Sequence, residues 1–145
     1  MTVGRICTRG ADTVAKTDSI YTAARRMSDR KVGSLVVVNW NGKPIGIVTD
    51  RDLTVRAVAE AKDPCETTVE DVMSKGVQIV SEDTSVERAL EIMRSGPFRR
   101  LPVTDRDGRL IGVLSIDDII DLLIDEFHQV GELLEREDPS TLAEV

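Results

Sequence analysis

The chain has 145 residues, 41% of them hydrophobic, and a formal net charge of −7, a composition that suits an ordinary soluble globular protein with room for one domain or two small units sharing a core. The acidic balance excludes a general nucleic-acid binder, which needs a basic face, so any anionic ligand must meet local cations or helix-end amides. The opening MTVGRICTRGADTV has no apolar core of signal-peptide length, and the greasiest segment, IIDLLIDEF, is interrupted by acids and cannot span a bilayer, so the expected location is cytoplasmic with no membrane partner.

Taken in chain order, a short apolar stretch at Thr13–Val14 predicts a strand. SIYTAARRMSDRK follows, with Ile20, Ala23, Ala24 and Met27 on one face at helical spacing and Asp18 placed as an N-cap. The apolar run SLVVVN predicts a strand, NWNGK a tight turn in which Asn41–Gly42 supply positive φ, and PIGIVT the returning strand. A helix begins at TDRDL, and Pro64 stops it inside the linker AEAKDPCETT. The order then repeats. A strand is expected around Gln78–Val80, then a helix TSVERALEIMRSG with Val86, Ala89, Leu90 and Met93 on one face. Thr84 and Glu87 read there as a capping box, and Gly96–Pro97 ends the helix. RLPVTD, DRDGR and LIGVLS form the second hairpin, and IDDIIDLLIDEFHQVGELLERE a long final helix. In that helix Ile116, Ile120, Leu123, Phe127, Val130 and Leu134 recur at three- and four-residue spacing, and the part beyond about Glu126 outruns its first-copy counterpart and is expected to cover a partner surface.

Shifted along itself by 66 positions, the chain matches itself without a gap. Thr2, Gly10, Val14, Ser19, Ala23 and Met27 fall on Thr68, Gly76, Val80, Ser85, Ala89 and Met93, and Gly42, Gly46 and Asp52 fall on Gly108, Gly112 and Asp118. One register held across the chain is a duplication. The fold class is α+β, two β-α-β-β-α copies, residues 1–62 and 67–130, packed pseudo-symmetrically sheet against sheet because a lone three-stranded copy leaves one sheet face uncovered. Residues 131–145 are expected as a polar tail.

Each copy closes on the same phrase, GIVTDRDL and GVLSIDDI, with a hydroxyl three residues before an aspartate at a strand-to-helix junction. On spacing alone, Thr49–Asp52 and Ser115–Asp118 are capping boxes. The same geometry suits a nucleotide. A helix N-terminus attracts phosphate, the hydroxyl can reach it, and the carboxylate can accept both hydrogens of a ribose diol. The two readings are compatible, since a cap can exchange its backbone partner for a ligand.

A tandem of such copies, each ending in Gly-h-h-[Thr/Ser]-x-x-Asp, together with VEDVMSKGVQIVSEDTSVERALEIM and RRLPVTDRDGRLIGVLSIDDI, resembles a pair of cystathionine-β-synthase (CBS) domains, a Bateman module, over about residues 1–130. The resemblance implies a stand-alone regulatory pair that binds AMP, ADP, ATP, NAD-type molecules or S-adenosylmethionine in clefts between the copies, with no obligatory cofactor. It also implies a homodimer built on helix faces and an effector protein addressed in trans. Carried onto this chain, one site uses Asp52, Thr49 and Arg51, with Val14 and Leu35 near the base. The other uses Asp118 and Ser115, with Lys75, Val77, Arg99, Arg100, Leu101 and Pro102 on the base and phosphate side. The two sites are expected to differ, because Arg51 aligns with Asp117, and Arg99 and Arg100 align with Gly33 and Ser34. A guanidinium at a helix start favours phosphate and a carboxylate repels it. The first site is therefore expected to be the better phosphate site.

Cys7 and Cys65 stand alone and His128 has no second ligand near it, so neither a metal site nor a disulfide framework is implied. The acid pairs Asp50/Asp52 and Asp117/Asp118 lack a flanking ligand set and read as helix starts. No nucleophile elbow, phosphate loop or dinucleotide fingerprint occurs, so no catalytic residue is assigned and the chain is not expected to be an enzyme. The alternative is a dimerisation or docking module whose nucleotide sites are vestigial.

Overall fold

The computed structural model describes residues 1–96 and 98–137. Pro97 and residues 138–145 lie outside them, and with them the expected helix-stopping role of Pro97 and most of the expected tail.

Among the described residues fourteen segments follow one another. A one-turn helix α1 (Val3–Ile6) leads to β1 (Thr8–Arg9), β2 (Thr13–Ala15), α2 (Ile20–Arg30), β3 (Ser34–Val38) and β4 (Pro44–Thr49). The helix α3 (Asp50–Leu53) opens into a wider π-turn over Thr54–Val58, and another one-turn helix, α4 (Val69–Val72), follows the linker. Then come β5 (Val80–Ser81), α5 (Val86–Ser95), β6 (Arg100–Thr104), β7 (Leu110–Ser115) and α6 (Ile116–Arg136). The final helix therefore runs through the first residues of the segment expected as tail. Among the described residues no helix is long and apolar enough to cross a membrane.

Helices α2 and α5 start one residue later than their sequence suggests. Ser19 caps α2 by accepting from the Thr22 N–H, and Ser85 caps α5 by accepting from the Arg88 N–H. Asp18 and Thr84 turn backwards instead, accepting from Ala15 N–H at 3.0 Å and Ser81 N–H at 3.1 Å. The Thr84–Glu87 box is thus not formed, because the preceding turn competes for the same hydroxyl. In the hairpins only Gly42 (φ 76°) and Gly108 (φ 82°) take the left-handed conformation. Asn39 and Asp105 organise those loops, each side chain accepting two backbone N–H groups.

The strands form two sheets, β2-β3-β4 and β5-β6-β7-β1, each with a parallel pair followed by an antiparallel hairpin. The helical layer of each copy covers one sheet face. Ala23 and Met27 of α2 and Ala57 of the π-turn meet Val14, Leu35, Val37 and Val48, while Ala89, Met93 and Ile119 meet Leu101, Val103 and Leu114. On the opposite faces, Val36 (4% exposed) and Pro102 (under 2%) are buried outside both cores, where sheet meets sheet. The hairpins also touch, Leu110 N–H donating to the Gly42 carbonyl at 3.1 Å.

The copies exchange their leading segments. Residues before β2 serve the second copy: Val3 and Gly4 donate to Thr84 and Glu82 carbonyls at 2.8 and 2.9 Å, Val3 is buried in the second core, and β1 pairs antiparallel with β7. The linker segment does the reverse. Val69 and Glu70 donate to Asp18 and Lys16 carbonyls at 2.8 and 3.0 Å, Val69, Val72 and Met73 fill the first core, and Ser74 bridges to Ile47 of β4.

Candidate functional site

Both repeated phrases fold into the reciprocal cap expected of them. Asp52 N–H donates to Thr49 Oγ1 (3.1 Å) and Thr49 N–H to Asp52 Oδ2 (3.0 Å); Asp118 N–H donates to Ser115 Oγ (3.2 Å) and Ser115 N–H to Asp118 Oδ2 (2.8 Å). A similar backward contact occurs at Asp71, whose carboxylate accepts from Thr68 N–H at 3.2 Å. That third example has no glycine-led strand before it, so the carboxylate contact alone marks a cap. Each cap commits one carboxylate oxygen and leaves the other for a different partner. Asp52 Oδ1 stands 3.8 Å from Arg56, whose guanidinium also donates to the Val72 and Met73 carbonyls. Asp118 Oδ1 accepts the Thr8 hydroxyl at 3.3 Å.

The motif glycines have a packing reason. A Cβ on Gly112 would run into the carbonyl oxygen of Thr8, and one on Gly46 would stand 2.9 Å from the Ser74 carbonyl oxygen and Met73 Sδ. Glycine lets the exchanged segment lie directly on the strand.

A cleft of about 380 Å³ opens between the copies, within the ~300–1,000 Å³ range of small-molecule sites. Thr8, Ala11 and Asp12 form one wall, Lys31 to Val36 and Ile47 a second, and Arg100, Val113, Ser115 and Asp117 a third. It thus gathers a motif hydroxyl at a helix start, two cations and an aliphatic lining, while Asp12 is occupied by Arg30 at 2.8 Å. Of the residues expected from the sequence, Ser115, Arg100 and Leu35 line this cleft, and Asp118 adjoins it through Thr8. Leu35, assigned beside Asp52, stands with Ser115 instead. Lys75 and Val77, assigned beside Asp118, continue from Ser74, which pairs with Ile47 just before Thr49. Val14, Leu35 and Leu101 bury their side chains in the two cores, so toward a ligand they offer backbone only. Pro102 is buried between the sheets. Arg51 and Arg99 are exposed, and Arg99 uses its carbonyl to accept the Ile116 N–H at 3.0 Å.

Thr8, Asp12 and Lys31 were not expected. Thr8 was legible in principle, since the 66-residue offset sets it on Ser74, a second hydroxyl. Lys31 reaches the cleft because it ends α2 in a left-handed conformation (φ 56°), which no periodicity announces. Nearby, burial pushes the Cys7 thiol pKa up, with Arg9 opposing and the Asp118 carboxylate reinforcing the shift. Cys7 is therefore a poor nucleophile.

The model of the CBS domain matches residues 3–58 and 69–125, and the chain belongs to the CBS-domain family as a pair of such domains. An uncharacterized protein of Methanopyrus kandleri is 38% identical over 83% of the chain, which spans 61% of that protein's length. Another from Acidianus ambivalens is 37% identical over 85% of the chain and 73% of its own. Among solved structures, a CBS-domain protein from Burkholderia ambifaria is 33% identical, covers 86% of this chain and 95% of its own, and superposes with a TM-score of 0.75. CBSX2, solved in complex with AMP, is 28% identical over 86% of this chain and 96% of its own, with a TM-score of 0.72; the protein is from Arabidopsis thaliana.

Proposed function

We propose that this CBS pair is a non-catalytic regulatory module that binds an adenosine-containing ligand between its copies and presents the change to a partner protein. The observation that carries the reading is the second oxygen of each motif aspartate. It sits at a helix start and is held by a long contact, 3.8 Å to Arg56 in the first copy and 3.3 Å to the Thr8 hydroxyl in the second, where Thr8 itself lines the inter-copy cleft. Ribose hydroxyls can replace such contacts without breaking the cap. Lys31 and Arg100 supply charge for a phosphate, Ser115 a hydroxyl, and Val36, Ile47 and Val113 an apolar bed for a base. AMP bound to CBSX2 supports the ligand class. In the first copy Thr49, Asp52 and Arg51 take the corresponding roles, with Lys75 and Val77 alongside. There Arg51 replaces the repelling Asp117, so we place the stronger phosphate preference in the first copy. A ligand that touches both copies favours one arrangement of them over another, and that population shift is the signal.

Thermal unfolding with AMP, ADP, ATP, NAD, NADH, S-adenosylmethionine and GTP tests this, on the wild type and on Asp52→Ala and Asp118→Ala. A ligand at a hundred times its dissociation constant adds about 2.7 kcal/mol. The expected result is a rise with adenosine ligands alone, lost in one or both variants. No rise with any of them overturns the reading and leaves a docking module whose aspartates are caps. Arg51→Ala is expected to weaken AMP more than adenosine; equal losses would remove the phosphate assignment.

A further inference from the structure

The two motif aspartates make the same cap, yet their second oxygens are held differently. Asp118 Oδ1 accepts a neutral hydroxyl, that of Thr8 on β1, a strand lent to the second copy by the start of the chain. Asp52 Oδ1 faces a cation, with Arg56 Nε at 3.8 Å. The 66-residue offset sets Leu122 on Arg56, and Leu122 packs against the second core, so the guanidinium belongs to the first copy alone. Its backbone setting is also peculiar to that copy. Arg56 lies in the Thr54–Val58 π-turn, where Ala59 N–H donates to the Thr54 carbonyl at 2.9 Å, whereas α6 runs unbroken as an α-helix. Single π-turns of this kind gather at functional sites.

The same guanidinium reaches the segment exchanged in the other direction. Arg56 Nη1 donates to the Val72 and Met73 carbonyls, both at 3.3 Å. Those carbonyls end the one-turn helix α4, where a basic side chain commonly serves as the cap. One residue further on, Ser74 N–H donates to the Ile47 carbonyl at 2.9 Å and Ile47 N–H to the Ser74 carbonyl at 3.4 Å, which lays the exchanged segment on β4 beside Thr49. A settled charge-assisted bond measures about 2.7–2.9 Å. At 3.3, 3.3 and 3.8 Å, one guanidinium is divided among three oxygens and holds none of them closely. What draws Arg56 toward Asp52 draws it off the α4 carbonyls.

We infer that Arg56 is the positioning residue through which the first-copy site acts on the exchanged segment. While Asp52 Oδ1 has no other partner, its charge keeps the guanidinium divided. Once ribose hydroxyls take that oxygen, the guanidinium settles on the Val72 and Met73 carbonyls and holds Ser74 closer to β4. The event at Asp52 thereby reaches a segment that leads through Lys75 and Val77 to β5 of the second copy. The ribose step rests on the ligand reading above. The link from Asp52 through Arg56 to Ser74 is a property of the chain itself and is read without any ligand.

Hydrogen exchange on the ligand-free chain tests it as a double-mutant cycle. Asp52→Asn imitates the occupied site, because the amide keeps an oxygen for the Thr49 N–H and has no charge to hold Arg56. Exchange at the Ser74 N–H is read against that of Ala89 in α5, which donates to the Ser85 carbonyl at 3.0 Å and reports any change in global stability. Relative to that reference, Ser74 is expected to exchange about threefold or more slowly in Asp52→Asn than in the wild type, the size of coupling that residues of one network show. It is expected to exchange faster in Arg56→Leu, and adding Asp52→Asn to Arg56→Leu is expected to change nothing further. A Ser74 that Asp52→Asn leaves unchanged or speeds overturns the inference. So does one that Arg56→Leu leaves unchanged, or an equal slowing by Asp52→Asn in the Arg56→Leu background. The two readings fail separately. Coupling in a chain whose unfolding no adenosine ligand shifts leaves the Arg56 link standing and removes the ligand, whereas a ligand shift without coupling does the reverse.

Discussion

A hydroxyl three residues before an aspartate caps a helix start in both copies, and substitution separates that role from the proposed ligand contact. Thr49→Ala or Ser115→Ala removes the acceptor for one N–H at a helix start, a change worth about 1 kcal/mol. Asp71→Ala is the internal control, because Asp71 makes the same backward contact to Thr68 outside any glycine-led strand. Denaturant unfolding is expected to show Asp71→Ala and Asp118→Ala losing similar stability, while only Asp118→Ala alters a ligand-induced shift. A ligand shift equally reduced by Asp71→Ala would mean that the effect travels through global stability rather than through the site. The thiols give a second contrast at this scale. Cys65 is exposed, whereas Cys7 is half-buried with its pKa raised chiefly by burial. At mildly alkaline pH, iodoacetamide is expected to label Cys65 first and Cys7 only slowly, as mass spectrometry of peptides would show; equal rates would mean that the α1–β1 segment opens freely.

At the level of elements, what was legible in the sequence is what local chemistry decides. Helical spacing located α2, α5 and α6, the Gly42 and Gly108 turns located both hairpins, and the 66-residue offset placed one copy on the other. The exchange of leading segments was not legible, because α1 and α4 are single turns whose partners lie in the other copy. That omission set Leu35 beside Asp52, whereas it lines the cleft with Ser115. One trace of it was nevertheless written in the motif, as the glycine on each closing strand. Gly112 faces the Thr8 carbonyl, a backbone atom that cannot step aside. Gly112→Ala is therefore expected to cost roughly 1–3 kcal/mol, the range for overpacking, and to displace β1 from β7. Faster hydrogen exchange at Gly10, whose N–H donates to the Ile111 carbonyl at 3.4 Å, would report it; an unchanged chain would mean that β1 rests on β7 only loosely.

For the whole molecule, the exchange makes the duplication a single folding unit. The first core contains Val69, Val72 and Met73 from beyond the linker, and the second contains Val3 from the start of the chain. Burying each such side chain contributes about 1.5–3 kcal/mol, and three together rival the 5–15 kcal/mol that holds a whole domain. Neither copy can therefore complete its core alone. The sharpest consequence is directional. Removing residues 1–6 deletes nothing from the first core, yet it takes Val3 from the second and frees the Thr84 and Glu82 carbonyls. Hydrogen exchange on that truncated chain is expected to rise across α5, β6 and β7, more than sixty residues away in sequence, before it rises in α2 or β3. Loss of protection in the first copy ahead of the second would mean that each copy keeps its own leading segment in solution.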